Sequence, residues 1–379
     1  SRRWCLSRSG NMAMVAKPPA ATAAPPAVDN GRLREEMARL CARGMTEDVL
    51  ALLDGPDAAR TPVVSACVDA GTGYTGLHLA ALGGHMRLAQ ELLARRCEVD
   101  APDAGRRTPL HIACAEGHAD LAMELLAARA DAESRDEFGQ TPLHKAVAVD
   151  STEVISVLLE HGNANAALGD STQLTPLMLA AERGKVESIQ CLLAHDPALA
   201  SAANDCGWTP LHLAAHGNET KRNSMRPPKF PAVVRMLLEA KAEVDAVDED
   251  RKTALHRAAT TGNVETTAAL LKGGADPMAE DICRWTPLHY ACQDGHLTVA
   301  KTLLDAKASV QKENPSCLTP LALATMENQA KIAELLVSRG ADPSLRGKGQ
   351  QSPLMMARAD PQKYHDILSL FELGFVKHH

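Results

Sequence analysis

Aromatic residues are scarce in this sequence, at 3% of the chain. With so few rings, a core must be built from Leu, Ala, Val and Met, which suits closely packed helices better than a β-sandwich. No stretch reaches the roughly 18 uninterrupted apolar residues that cross a bilayer, so membrane insertion is not expected. The ten cysteines form no C-x-x-C pair and no knot-like cluster. They read as reduced thiols of a cytoplasmic protein, with nuclear and organellar locations left open. Also missing are a G-x-S-x-G elbow, a P-loop, an H-E-x-x-H helix and a kinase motif set. Nothing points at catalysis.

Acidic residues are absent from the first 28 positions, which carry Arg2, Arg3, Arg8 and Lys17. The rest of the chain is therefore more acidic than the overall formal charge of −7, which argues against a nucleic-acid backbone as partner. Residues 1–32 read as a disordered, Ala/Pro-rich basic tail containing "KPPAATAAPPAV". The Arg- and Ser-bearing start, beginning at Ser1 with the first methionines at Met12 and Met14, also has the look of an organelle transit peptide.

One motif invites an enzyme reading. Gly71, Gly73 and Gly76 in "GTGYTG" match G-x-G-x-x-G, with an apolar run before them and Asp100 near where a ribose-binding carboxylate would sit. The rest of the sequence dissolves it. "TGLHLAALGGH" from Thr75 is one of a series continued by "TPLHIACAEGH" from Thr108, "TPLHKAVAVDS" from Thr141 and "TPLMLAAERGK" from Thr175. Further copies open at Thr209, Thr253, Thr286 and Thr319, and a degraded one at Ser352. Successive openings lie 33 or 34 residues apart, except for one gap of 44 before Thr253. Thr75 is thus a repeat start, and Gly76 stands where other copies have Pro. Gly83-Gly84 interrupts the single long helix that a dinucleotide fold requires.

Each position has a physical task. Thr is a good N-cap, and Pro suits the first helical residue, where no N–H is needed. His at the third position can reach back to the turn before it, and the Ala that follows lets helices approach closely. Nine residues after each opening stand Gly84, Gly117, Asp150, Gly184, Asn218, Gly262, Gly295 and Asn328, types that tolerate the left-handed end of a helix. A second helix with a Leu-Leu seam follows, as in "LAQELL" and "LAMELL".

The pattern resembles the ankyrin-repeat family, whose T-P-L-H-x-A signature and period near 33 it reproduces over roughly residues 33–375. The resemblance implies an all-α solenoid of about ten helix-turn-helix units with short β-hairpin connections. The array is placed at 33–376, with a degenerate N-terminal cap at 33–74 and repeats starting near 75, 108, 141, 175, 209, 253, 286 and 319. An inserted loop occupies 218–231, and a C-terminal cap 352–376.

The resemblance also implies a non-catalytic scaffold or adaptor, without cofactor, that binds protein partners on a concave face of hairpins and first helices. Two other readings stay open: a permanent subunit or assembly chaperone of a large complex, and the regulatory arm of an enzyme whose catalytic domain is absent from this chain. A start at Met12 or Met14 would leave no room for such a domain.

On the implied face lie Phe138, Trp208 and Trp285 at hairpin tips and Tyr290 on a first helix, residue types that anchor interfaces. Trp208 and Trp285, just before Thr, either grip a partner or merely cover the adjacent hairpin. Acid-rich hairpins such as "EVDAVDED" suggest steering of a basic partner segment, with Asp248 and Glu249 foremost. The insertion "NETKRNSMRPPKFP" adds Lys221, Arg222, Arg226 and Lys229 with Ser224. It serves either as a docking or phosphorylation site or as a passive excursion.

The histidines His78, His111, His144, His212, His256 and His289 invite a metal hypothesis. Stacked helices set equivalent residues about 10 Å apart, too far to share one zinc ion. The same spacing argues against a Cys283–Cys317 disulfide.

Overall fold

A computed structural model of the chain describes residues 30–54, 71–217, 230–314, 316, 318–346 and 351–376. These form twenty α-helices in two layers, paired along the chain. The first layer comprises α1 (Asn30–Ala42), α3 (Gly76–Gly83), α5 (Pro109–Glu116), α7 (Pro142–Val149), α9 (Pro176–Arg183), α11 (Pro210–His216), α13 (Ala254–Thr261), α15 (Pro287–Gln293), α17 (Pro320–Met326) and α19 (Pro353–Ala359). Their partners are α2 (Thr46–Asp54), α4 (Met86–Ala94), α6 (Ala119–Ala127), α8 (Thr152–Glu160), α10 (Val186–His195), α12 (Phe230–Glu239), α14 (Val264–Lys272), α16 (Leu297–Asp305), α18 (Ala330–Ser338) and α20 (His365–Val376). The degenerate first copy, Glu36–Asp54, falls on α1 and α2.

Each first-layer helix packs on the next one of its layer, from α1 on α3 to α17 on α19. The second layer stacks likewise from α4 to α20. A single apolar core runs the length of the stack, from Met37 to Phe371. Alanine makes the close approach possible. Ala80, Ala113, Ala146, Ala180, Ala214, Ala258, Ala291, Ala324 and Ala357, each five residues after a repeat opening, are all fully buried. The leucine two residues after each opening, Leu77 through Leu321, fills the space between layers.

First-layer helices stop where the sequence requires. Gly84, Gly117, Asp150, Gly184, Gly262, Gly295 and Asn328 all have positive φ, between 54° and 80°. At Gly84 the reason is double: φ is 66°, and a Cβ would lie 2.8 Å from the ring of His118 in the next repeat. Asp150 accepts the left-handed conformation and uses its carboxylate across repeats, taking the Ser188 N–H at 3.1 Å. Asn218 and the basic loop residues Lys221, Arg222, Ser224, Arg226 and Lys229 lie outside the described residues, as do Cys317 and positions 1–29. Between α10 and the next turn sits a short 3₁₀ helix, Pro197–Ser201, that buries Leu199 and Ala200.

The connections differ in detail from the expected β-hairpins. No strand forms among the described residues. The turns close on backbone hydrogen bonds, for example Asp103 N–H to the Arg107 carbonyl and Arg106 N–H to the Asp103 carbonyl, both at 2.9 Å. A side chain satisfies two more tip amides, and a further amide reaches the preceding turn, as the Ala104 N–H does to the Thr72 carbonyl at 3.0 Å.

Leu211 is 1% exposed. Leu211→Ala should cost about 2–5 kcal/mol, read as an earlier first transition in a denaturant melt. Thr266 occupies a second-layer position where most other repeats place Leu, Val or Ile, and its buried hydroxyl has no hydrogen-bond partner. Thr266→Val should therefore stabilise the protein by about 1 kcal/mol in the same melt.

Candidate binding face

Every Thr of the repeat caps its helix from an extended conformation, with φ between −97° and −74°. In six repeats the third helical residue is the histidine identified from sequence. The N–H of Thr75 donates to Nδ1 of His78 at 3.1 Å, and the same bond recurs at His111, His144, His212, His256 and His289. Because Nδ1 accepts, the ring proton sits on Nε2. That proton goes forward: Nε2 of His78 donates to the Arg107 carbonyl at 2.8 Å, in the turn that opens the next repeat. The five equivalent bonds reach Gln140, Leu174, Lys252, Trp285 and Leu318. Thus the histidine does reach back, as its spacing suggested, but it also clamps its successor. Met178 and Ala322 take its place in the repeats that open at Thr175 and Thr319.

All six rings are fully buried. Burial lowers their pKa, to about 4 for His111 and His289. Both nitrogens of each ring are spent within the stack. Among the described residues no group of three or more His, Cys, Asp or Glu side chains could hold a metal ion.

Five residues before each Thr from Thr108 to Thr319 stands a second recurrent group, to which Asp248, expected from the sequence to steer a basic partner, belongs. Asp103, Asp136, Asp170, Asn204, Asp248, Asp281 and Asn314 are the turn's internal ties. In each, one side-chain oxygen accepts the N–H groups two and four residues on, at 2.7 to 3.1 Å. Asp248 is 5% exposed, and its other oxygen meets the Arg257 guanidinium. It is a positioning group inside the turn, whereas Glu249 beside it is exposed. The fixed five-residue offset from Thr was the available signal for this role.

On this frame the residue before Thr and the residue four after it form rungs. Arg257 stacks over Trp208 with its guanidinium carbon 4.3 Å from the ring centre. Lys252 stands 5.1 Å over the Tyr290 ring, and Trp285 lies 5.1 Å from Tyr290. Tyr290 donates its hydroxyl to Asp281 at 2.6 Å; burial and that carboxylate both push its pKa up. At the other end of the array Arg107 covers Tyr74 at 5.6 Å. Trp208, Trp285 and Tyr290, together with the Arg257 that Asp248 holds, are therefore gathered on repeats that touch one another. Each Trp covers the histidine of its own repeat, with ring centres 6.2 and 5.8 Å apart, and remains half-exposed. Phe138 is 59% exposed at the tip of the Asp136 turn, two repeats from Trp208.

The glycine fingerprint resolves into the same frame. Gly73 is a turn residue at φ 77° and Gly76 is the first residue of α3, which is only eight residues long. The apolar run before them lies outside the described residues.

A family model for ankyrin repeats matches the chain in overlapping segments from residue 37 to residue 347. The chain belongs to the ankyrin-repeat family. Ankyrin repeats generally mediate protein–protein interaction. No curated protein matches this ankyrin-repeat chain. None of its described helices is long and apolar enough to cross a membrane.

The buried histidines make the stack acid-sensitive in a defined window. Below the ordinary histidine value of 6.5, the unfolded chain takes up protons that the folded rings refuse until about pH 4. Stability should be full above pH 6.5 and drain as the pH falls toward 4. Asp136 and Asp170 act lower. Burial raises their pKa, but Lys145 and the turn amides on Asp136, and the Thr172 and Leu174 donors on Asp170, outweigh it. Their contribution is lost only below the ordinary value of 3.8. Melts across this range should show a His111→Gln, His289→Gln variant less stable at pH 7 and with a shallower slope between pH 6.5 and 4.

Proposed function

We propose that this chain is a non-catalytic scaffold or adaptor that holds a protein partner across the turns and first-layer helices of the repeats opening at Thr209, Thr253 and Thr286. The observation that carries the reading is the half-exposed cluster of Trp208, Trp285 and Tyr290, with Arg257 and Lys252 stacked on the rings. A stack that served only its own stability would place aliphatic residues here, as it does with Leu213 and Leu323. Large amphipathic rings on a rigid frame lose little entropy when a partner covers them. Glu249 and Phe138 extend the contact along the tips, and Asp248 acts through Arg257. The cysteines identified as free, Cys206 and Cys283 exposed among them, support an intracellular, reducing setting and hence a cytoplasmic one.

Affinity capture with the intact chain, compared with a Trp285→Ala, Tyr290→Ala double variant, tests the face. Proteins captured specifically by the parent should be lost from the variant while its circular-dichroism melt keeps one main transition near that of the parent. Equal capture by both would remove this face from consideration.

A further inference from the structure

From the bonds between successive repeats we infer that the array carries a hinge, at the join between the repeats opening at Thr175 and Thr209. Two arms turn about it. One runs from α1 to the short helix Pro197–Ser201, the other from Asn204 to α20.

With each repeat taken from its turn Asp or Asn, all the remaining joins of the stack are crossed by at least one hydrogen bond. At the N-terminal end the Ala42 carbonyl accepts from His85 at 3.3 Å. His78, His111 and His144 clamp the next three turns, and His212, His256 and His289 the later ones. The last join, at Ala322, lacks the histidine but is crossed by the Leu354 N–H on the Pro343 carbonyl at 3.0 Å.

Between the repeats at Thr175 and Thr209 no hydrogen bond or ion pair connects two described residues. Met178 stands where the clamp would. The Trp208 carbonyl, counterpart of the acceptors in other turns, takes the Asn204 N–H of its own turn at 3.0 Å. The tips are unlinked as well. Ala104, Glu137, Ser171, Glu249 and Ile282 each donate an N–H to a carbonyl of the preceding turn at 2.8 to 3.1 Å, and the corresponding Asp205 N–H makes no such bond to a described residue.

The second layer parts at the same place. Other second helices are followed by a left-handed residue, such as Arg96, Arg129 or Lys241. α10 is followed instead by Asp196 at φ −147° and then by Pro197–Ser201. Between α10 and α12 lies a cleft of about 650 Å³, with Leu193, Pro197, Met236 and Ala240 in its lining. Among the described residues the arms are held by apolar packing alone, α9 on α11 and α10 on α12. On α9 and α11 the small residues Ala180, Ala181, Ala214 and Ala215 are fully buried.

A hydrogen bond fixes direction, whereas apolar packing does not. Helices that meet through small side chains roll and slide on one another, and the cleft gives the second layer room to close. The bend that follows changes the separation of the turn tips on its two sides. Phe138 belongs to the first arm, and Trp208, Trp285 and Tyr290 to the second. On the reading of these residues as a binding face, the hinge adjusts the span between its two parts; the hinge itself does not depend on that reading.

Pulsed electron resonance on the full chain tests this across two spans of equal repeat number. Spin labels on noncanonical residues leave the native cysteines untouched. Labels at Glu160 and Lys272, the last residues of α8 and α14, bracket the hinge. Labels at Ala94 and His195, the last residues of α4 and α10, bracket only clamped joins. All four positions are exposed. The distance distribution across the hinge should be about twice as broad as the other. Met178→His supplies the missing ring opposite the Trp208 carbonyl, and should narrow the first distribution without changing the second. His144→Met removes a clamp that both spans contain, and should broaden both. Equal widths in the parent chain overturn the hinge, whether or not the variants fold. A Met178→His chain that keeps the parent's circular-dichroism spectrum and the broad distribution overturns the missing clamp as its cause.

Discussion

The forward hydrogen bond of the buried histidine is the contact on which the rest of the stack depends. A helix pair of this size cannot cover its own leucines, so it is folded only while its neighbours are. The imidazole connects the two requirements. One nitrogen completes the cap of its own helix, and the other fixes the backbone of the turn that begins the next unit. Only the neutral ring can do both. Burial enforces that state, and the same burial ties the whole array to pH.

The turns are rigid for a related reason. With no strand among the described residues, one Asp or Asn oxygen holds two amides of each tip, and main-chain carbonyls, some of them in the adjoining turn, hold others. The charge that looks like a solvated surface in the sequence is largely internal wiring. What then faces outward is decided by the residues either side of the four-residue motif that opens each repeat, and in the repeats opening at Thr209, Thr253 and Thr286 all of these except the buried Leu213 are rings and cations. The scaffold and the face are thus built from interleaved positions of one short motif.

Much of the architecture was legible before any coordinates, because a strict period makes each copy a control for the others. Thr, Leu, Ala and the helix-ending Gly could be placed by offset alone. The side-chain wiring was less legible. Asp248 and Glu249 are adjacent acids of like composition, yet one is buried and the other exposed, since an Asx turn depends on where the carboxylate stands relative to the following amides. Nor could spacing reveal that Arg257 stacks on Trp208, a contact between residues of different repeats whose distance in sequence is set by the 44-residue interval. The pairing of His78 with Arg107 was hidden likewise, because its acceptor is a main-chain carbonyl and leaves no trace in residue identity.

The replacement of histidine by Met178 has a consequence for mechanics. Clamps run without interruption from the repeat at Thr75 to the one at Thr175, and again from Thr209 to Thr319. At Met178 the join between these runs relies on apolar contact and on the short helix Pro197–Ser201. The join after the Thr319 repeat lacks the clamp in the same way, at Ala322, so the clamped repeats fall into two internally fastened blocks, and the aromatic face lies whole within the second.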